Sequence, residues 1–282
     1  MKKIFISCLL SLCLVKTFAQ ILNEHTAETF PDSIHIIPTS AWENRKVFAL
    51  TANVNIRQSP SKEGKVIGKL AIGEAVNVEE VTYNTLLING LELRWCKISL
   101  TQQGQILRGY VWGGFLTPIK IKGFGEKPVE YLAGFLDSNL IQIRAISNQK
   151  ELSKVTLPFS YEFSEFSIKA KYSFDFDGVE TIIVANVESC PCGCGGTTYL
   201  FFQQKEQLNK LLEQQSSGYE DMGHDGLILV PSDLGGLPKH IIVVETEFDE
   251  TKDDNKPDHY QAHFKVYKWT GNKLILAKEF KY

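Results

Sequence analysis

The chain has 282 residues, 43% of them hydrophobic and 22% charged, with 30 basic against 33 acidic side chains and a net charge of −3. That balance lacks the basic excess a phosphate backbone demands, so no nucleic-acid partner is expected. The length suits two domains, with enough apolar content to bury a core in each.

The first residues, MKKIFISCLLSLCLVKTFAQ, set Lys2 and Lys3 before an apolar run from Ile4 to Val15, followed by the small residues Thr17 and Ala19. This is the order of a secretory signal, predicted over residues 1–19 with cleavage after Ala19. The run is too short to span a bilayer. Cys8 follows too little apolar sequence for a lipoprotein signal, and Cys13 has bulky Leu12 before it, so release is favoured over lipid anchoring. Lys2, Lys3 and Lys16 would leave with the signal, giving 27 basic against 33 acidic residues and a net charge of −6. No second apolar segment approaches membrane-spanning length, and a secreted or periplasmic protein without a membrane span is expected.

Residues 20–45 form a lead-in with weak periodicity, Pro31 and Pro38, and one candidate strand at SIHII. From Lys46 the texture changes to short alternating runs broken by turn residues: KVFALTANVNIR, KVIGKLAIGEAVNVEEVTY, LELRWCKISL and RGYVWGGFLTPIK. Strands of this length at this spacing predict a small all-β barrel over residues 46–120. In Val54-Asn55-Ile56 the apolar residues face the core, while Asn55 faces away or fixes the next turn. Pro60, which cannot donate to a central ladder, places a turn.

Five motifs, Val54-Asn55-Ile56-Arg57-Gln58-Ser59-Pro60-Ser61, Val66-Ile67-Gly68-Lys69-Leu70, Gly73-Glu74, Trp95-Cys96-Lys97-Ile98 and Gly109-Tyr110-Val111, stand in an order that resembles the bacterial SH3 (SH3b) family across residues 46–118. Two departures are visible: Tyr110 stands where the family often has Trp, and the stretch from Val81 to Leu93 is longer than the minimal pattern. The resemblance implies an SH3-like barrel that recognises cell-wall peptide or another peptide ligand. Trp95 reads better as a core residue. Tyr83, Tyr110, Trp112 and Phe115 are the candidate ligand-binding residues, since aromatic rings give contact area at little ordering cost. For Trp112 and Phe115, packing against the second domain is an equal reading.

IKIKGFGEKP, after Pro118, suits a linker or a final edge strand. The second domain is placed at residues 129–282. It holds β-like runs at NLIQIRAIS, SIKAKYSF, VETIIVANV, TTYLFF, GLILV, HIIVVETEF and HFKVYKWTGNKLILAKEF, the last a hairpin turning at Thr270-Gly271-Asn272. KEQLNKLLEQQ, with Leu208, Leu211 and Leu212 on a narrow stripe, is the one helical candidate. The expected class is mainly β: a small SH3-like barrel followed by a β-rich antiparallel domain, α+β if that helix forms.

Chemistry-bearing residues concentrate in this second half. Cys190, Cys192 and Cys194 lie within five residues, and Cys96 is the remaining cysteine outside the predicted signal. In an exported protein disulfides come first, with three complete pairings open; pairing one of the cluster with Cys96 would tie the domains together. A thiolate metal site and a redox role stay open beside them, although the separated C-x-x-C pairs of structural zinc are absent. Asp175 and Asp177, beside Gly178, and the acidic stretch from Asp249 to Asp258 offer oxygen ligands for a hard cation, yet neither has EF-hand spacing; the second stretch reads better as a solvated loop, and a β-turn needs Asp and Gly at 175–178 with no metal. His259 and His263 lie on a strand-like segment, about 13 Å apart at strand rise and too far to share an ion.

No G-x-S-x-G, H-E-x-x-H or phosphate-binding glycine loop occurs. A non-catalytic exported protein that binds cell-wall peptide or an envelope protein, with no cofactor, is therefore expected. The alternative is an envelope hydrolase or metal-dependent enzyme with its site among the cysteines and carboxylates of the second domain.

Overall fold

The computed structural model describes residues 34–35, 38–102, 104–125, 129–160, 164–173, 176–189, 195–219, 222–249 and 259–282. Among them the chain is built of antiparallel strands and 3-10 turns, with no α-helix. After a two-residue strand β1 (Ile34–His35), seven strands make the first sheet: β2 (Lys46–Ala49), β3 (Val54–Arg57), β4 (Val66–Leu70), β5 (Ala75–Ile88), β6 (Leu91–Gln102), β7 (Gln105–Trp112) and β8 (Leu116–Thr117). A four-stranded sheet follows, of β9 (Ile119–Lys122), β10 (Glu130–Asp137), β11 (Leu140–Ser147) and β12 (Lys150–Pro158). The last sheet holds β13 (Ser164–Tyr172), β14 (Thr181–Ser189), β15 (Gly195–Gln204), β16 (Gln207–Tyr219), β17 (Met222–Leu229), β18 (His240–Asp249), β19 (His259–Trp269) and β20 (Leu274–Lys281), with β1 added beside β13.

The first sheet runs in the order β4-β3-β7-β6-β5-β2-β8 and wraps a core of Val47, Ala49, Val54, Ile56, Leu70, Val76, Val78, Cys96, Ile98 and Val111. The alternation read from Val54-Asn55-Ile56 holds: Val54 and Ile56 are buried and Asn55 lies on the other face. Packing begins before Lys46, because Trp42 is buried in this core and the segment around Asn44 and Arg45 bonds Val78 through its backbone.

The expected edge strand after Pro118 is β9, which belongs to the second sheet through its pairing with β10. The two sheets meet at an apolar seam where Leu50 and Ile72 pack on Leu132 and Ile146. Contact there is close enough to need glycine. A Cβ on Gly134 would lie 2.6 Å from Leu50 Cδ2, and one on Gly73, at φ +73°, would lie 2.4 Å from Ile146 Cδ1. Lys120 closes the seam by donating to the Gly73 carbonyl at 3.3 Å while pairing with Glu130 at 2.9 Å. Gly134→Ala is expected to cost about 1–3 kcal/mol by overpacking this seam; an unchanged thermal midpoint would show that Leu50 moves aside freely.

The third sheet is a meander that doubles back. β16 and β17 pair only at Ser217↔His224, Gly218↔Gly223 and Tyr219↔Met222. Beyond that hairpin the halves face one another, and Ile182, Val184, Leu200 and Phe202 of β14 and β15 share a core with Ile228, Ile241, Val243 and Trp269 of the second half. The alternate residues Ile183, Ala185, Val187, Tyr199 and Phe201 point the other way, into a core formed with Tyr131, Ile141, Ile143 and Leu157 of the second sheet. β14 and β15 are thus a middle layer buried on both faces.

The helix expected over KEQLNKLLEQQ is replaced by strand β16, which pairs along β15. Its leucine spacing imitates a helical stripe because a bulge opposite Leu200/Phe201 admits Leu211 as an extra residue. Before the bulge Leu208 faces the core shared with the second sheet; after it Leu212 faces the opposite core. A bulge shifts the period-2 alternation by one residue, so an i, i+3, i+4 pattern arises without any helix. The Thr270-Gly271-Asn272 hairpin joins β19 to β20 as read, with Gly271 at φ +91° and Thr270 N–H donating to the Lys273 carbonyl.

Candidate functional site

The long β5–β6 hairpin shapes a groove on the barrel. The extra length between Val81 and Leu93 is absorbed in two ways. Thr82, Tyr83 and Asn84 bulge out between the Val81↔Cys96 and Thr85↔Arg94 pairs, and the arm then continues to a turn at Asn89-Gly90, where both residues have positive φ (+51° and +79°). That φ pair suits the two-residue Asn-Gly hairpin, whose twist matches its strands. The Thr82 hydroxyl anchors the bulge on the Trp95 carbonyl at 3.0 Å.

The arm past the bulge returns Leu86 and Ile88 against Leu91, Leu93, Trp95 and Trp112. Beside them opens a groove of about 340 Å³. Leu86 and Ile88 form one wall, Trp95, Trp112 and Phe115 the aromatic part, and the turn Thr51–Asn53 with the outward residues of β3 the other side. Asn53 sits at φ +59°, a left-handed position that asparagine tolerates. Arg57 and Lys62 supply the groove's only charged side chains, with no acid among the residues lining it.

Trp112 is the keystone of this geometry. It is only 4% exposed, and its indole N–H lies between the carbonyls of Leu86 (3.0 Å) and Leu93 (3.1 Å), a register pair of the hairpin. A Cβ on Gly114 would fall 2.1 Å from the indole ring, so the glycine lets the backbone lie on Trp112. Phe115, 37% exposed, meets Trp112 edge-on with ring centroids 5.0 Å apart. Beneath, Phe135 of β10 packs against the same cluster. Trp112 thus lines the groove and belongs to the cluster on which the second sheet packs through Phe135.

The four aromatic candidates therefore separate. Trp112 and Phe115 come together in the groove with Trp95, which is itself 4% exposed. Tyr83, 91% exposed, projects from the bulge with the Arg94 guanidinium 5.6 Å from its ring centroid. Tyr110 packs half-buried against the aromatic cluster, next to Arg57 and Lys97 in register. Neither tyrosine lines the groove. Asn53, Arg57, Lys62, Leu86 and Ile88 line it without having been singled out; Arg57 lay inside the first family motif, and the overlong Val81–Leu93 stretch was the signal for Leu86 and Ile88.

Cys96 is a free thiol sealed in the barrel core, and burial pushes its pKa up to about 12. Cys96 itself forms no disulfide in this structure. Cys190, Cys192, Cys194 and Asp175 lie outside the described residues, as do the predicted signal and residues 250–258. Asp177 stands with Gly178 (φ +75°) inside a turn closed by Val179 N–H to the Phe176 carbonyl, and its own carbonyl accepts from the Trp269 indole at 3.1 Å. His263, on strand β19 as read, lies between Glu245 (3.3 Å) and Glu279 (2.6 Å), and Lys265 pairs with the same Glu245 at 2.8 Å. Among the described residues no group of three or more His, Cys, Asp or Glu is placed to hold a metal ion. No helix among them is long and apolar enough to cross a membrane.

Residues 52–117 match the family model of the bacterial SH3 domain, spanning the groove from Ala52 to Phe115. No curated protein and no solved structure matches the chain.

Proposed function

We propose that the protein is an exported, non-catalytic binding protein whose bacterial SH3 domain takes cell-wall peptide, or a peptide of like chemistry, in the groove bounded by Trp95, Trp112, Phe115, Leu86 and Ile88. The observation that carries this reading is that groove itself. All of its lining but Thr51 lies within the matched segment, its walls are aromatic and aliphatic, and its polar groups are a hydroxyl, amides and cations suited to peptide carbonyls and carboxylates. Behind it, Phe135 of the second sheet packs on the cluster of Leu91, Leu93, Trp95 and Trp112. Tyr83, exposed at the hairpin bulge, extends the aromatic surface beside the groove and serves a longer ligand.

Phe115→Ala is the cleanest test, because Phe115 is half exposed and its loss leaves the barrel core in place. Titration of soluble cell-wall peptide fragments by calorimetry should show saturable binding to the unaltered protein. The variant should bind on the order of tenfold more weakly, the range of an aromatic contact residue, with the thermal midpoint nearly unchanged. Equal affinity in both proteins would remove the groove from the binding surface.

A further inference from the structure

The charge of the groove runs against the charge of the chain. The protein carries a net charge of −3, yet the groove is lined by Arg57 and Lys62 and by no acid. Both cations come from the same side. Arg57 ends β3 on its outward face, and Lys62 stands in the turn that follows, between Ser59 and Gly64. The turn is built to hold them: the Ser61 hydroxyl accepts from the N–H groups of Glu63 and Gly64, and Arg57 Nη1 donates to the Gly64 carbonyl at 2.7 Å, fixing the guanidinium stem while its remaining donors stay available. Facing this cationic edge are the apolar surfaces of Trp112, Phe115 and Leu86.

Resting on the reading of the groove as a peptide site, we propose that it recognises the free carboxylate end of a short peptide, with Arg57 and Lys62 taking the carboxylate and the aromatic wall taking the adjacent apolar side chains. A planar guanidinium beside an ammonium matches a carboxylate in geometry as well as charge. The volume, about 340 Å³, lies at the small end of ligand sites, which suits a chain end better than a peptide passing through.

The test compares trialanine bearing a free carboxylate with its C-terminal amide, titrated into the purified protein and into Lys62→Gln. Lys62 is exposed and its replacement leaves the fold intact. The free acid should bind at least about tenfold more tightly than the amide, as expected for charge-assisted hydrogen bonds. Lys62→Gln should narrow that ratio by about two- to fivefold, mostly by weakening the acid, and raised salt should narrow it further. Equal affinity for acid and amide would overturn carboxylate recognition while leaving the groove as a peptide site. An acid preference untouched by Lys62→Gln and by salt would overturn its assignment to this cationic edge. Absence of binding by either peptide, together with cell-wall fragments insensitive to Phe115→Ala, would overturn the groove reading along with it.

Discussion

Replacing Trp112 with alanine is expected to lower the stability of the protein by about 3–5 kcal/mol, far more than an ordinary ligand-contact residue would cost. The side chain is almost wholly buried between the β5–β6 hairpin and the Gly114 backbone, so its removal leaves a cavity whose walls belong to three strands and cannot all collapse. A second loss adds to the first. The indole N–H is shared between the Leu86 and Leu93 carbonyls, and without it both lose that donor. Trp112→Phe separates the two effects. It keeps most of the apolar volume but removes the shared donor, and about 0.5–1.5 kcal/mol of the loss should remain. Urea unfolding reads both variants as shifts in midpoint at constant slope. An alanine variant within about 1 kcal/mol of the parent would show that the hairpin arm is not held by this ring. The same reasoning explains why Trp112 is a poor probe of binding: any weakening it produces mixes lost contact with a loosened groove, whereas Phe115 reports contact alone.

Much of the barrel was legible because its signals are local. Alternation in Val54-Asn55-Ile56 and the turn at Pro60 each depend on a few neighbouring residues, and the structure keeps both. The groove was half legible. Aromatic residues could be picked out by type, but which ones converge depends on the three-residue bulge at Tyr83, which turns that ring outward and swings Leu86 and Ile88 inward. A bulge has no composition of its own, so alternation across it misassigns faces. The same physics defeated the helical reading of Leu208, Leu211 and Leu212, where one inserted residue in a strand reproduced a helix spacing. Cys96 was illegible for a different reason: its partners in the core are apolar residues distant in sequence, and counting cysteines says nothing about whether a thiol is enclosed by them. The two-sided burial of β14 and β15 did leave a trace, in the unbroken apolar runs IIVA and YLFF, since a strand covered on both faces has little polar side to show.

That trace leads to the other large expectation, that Phe201→Ala and Phe202→Ala each destabilise the protein by about 3–5 kcal/mol although the two residues are adjacent on one strand. In a sheet covered on one face, consecutive side chains alternate between core and solvent, and one of any such pair would be replaceable at a cost within about 0.5 kcal/mol. Here both are fully buried, and in different cores. Phe202 packs against Phe176 and Trp269 with ring centroids 4.9 and 5.1 Å away, joining β15 to the second half of its own sheet. Phe201 lies with Tyr131, Ile143 and Leu157 against the second sheet. Alanine at either position therefore opens a cavity at a different interface, and fluorescence of Trp269 should respond to the Phe202 change and not to the Phe201 change. If one of the two variants melts with the parent, β15 has an open face and the doubled-back arrangement of the third sheet is wrong. If both fall by similar amounts, β15 is buried on both faces and serves two cores at once, one of them shared with the sheet that meets the barrel at Leu50, Ile72, Leu132 and Ile146.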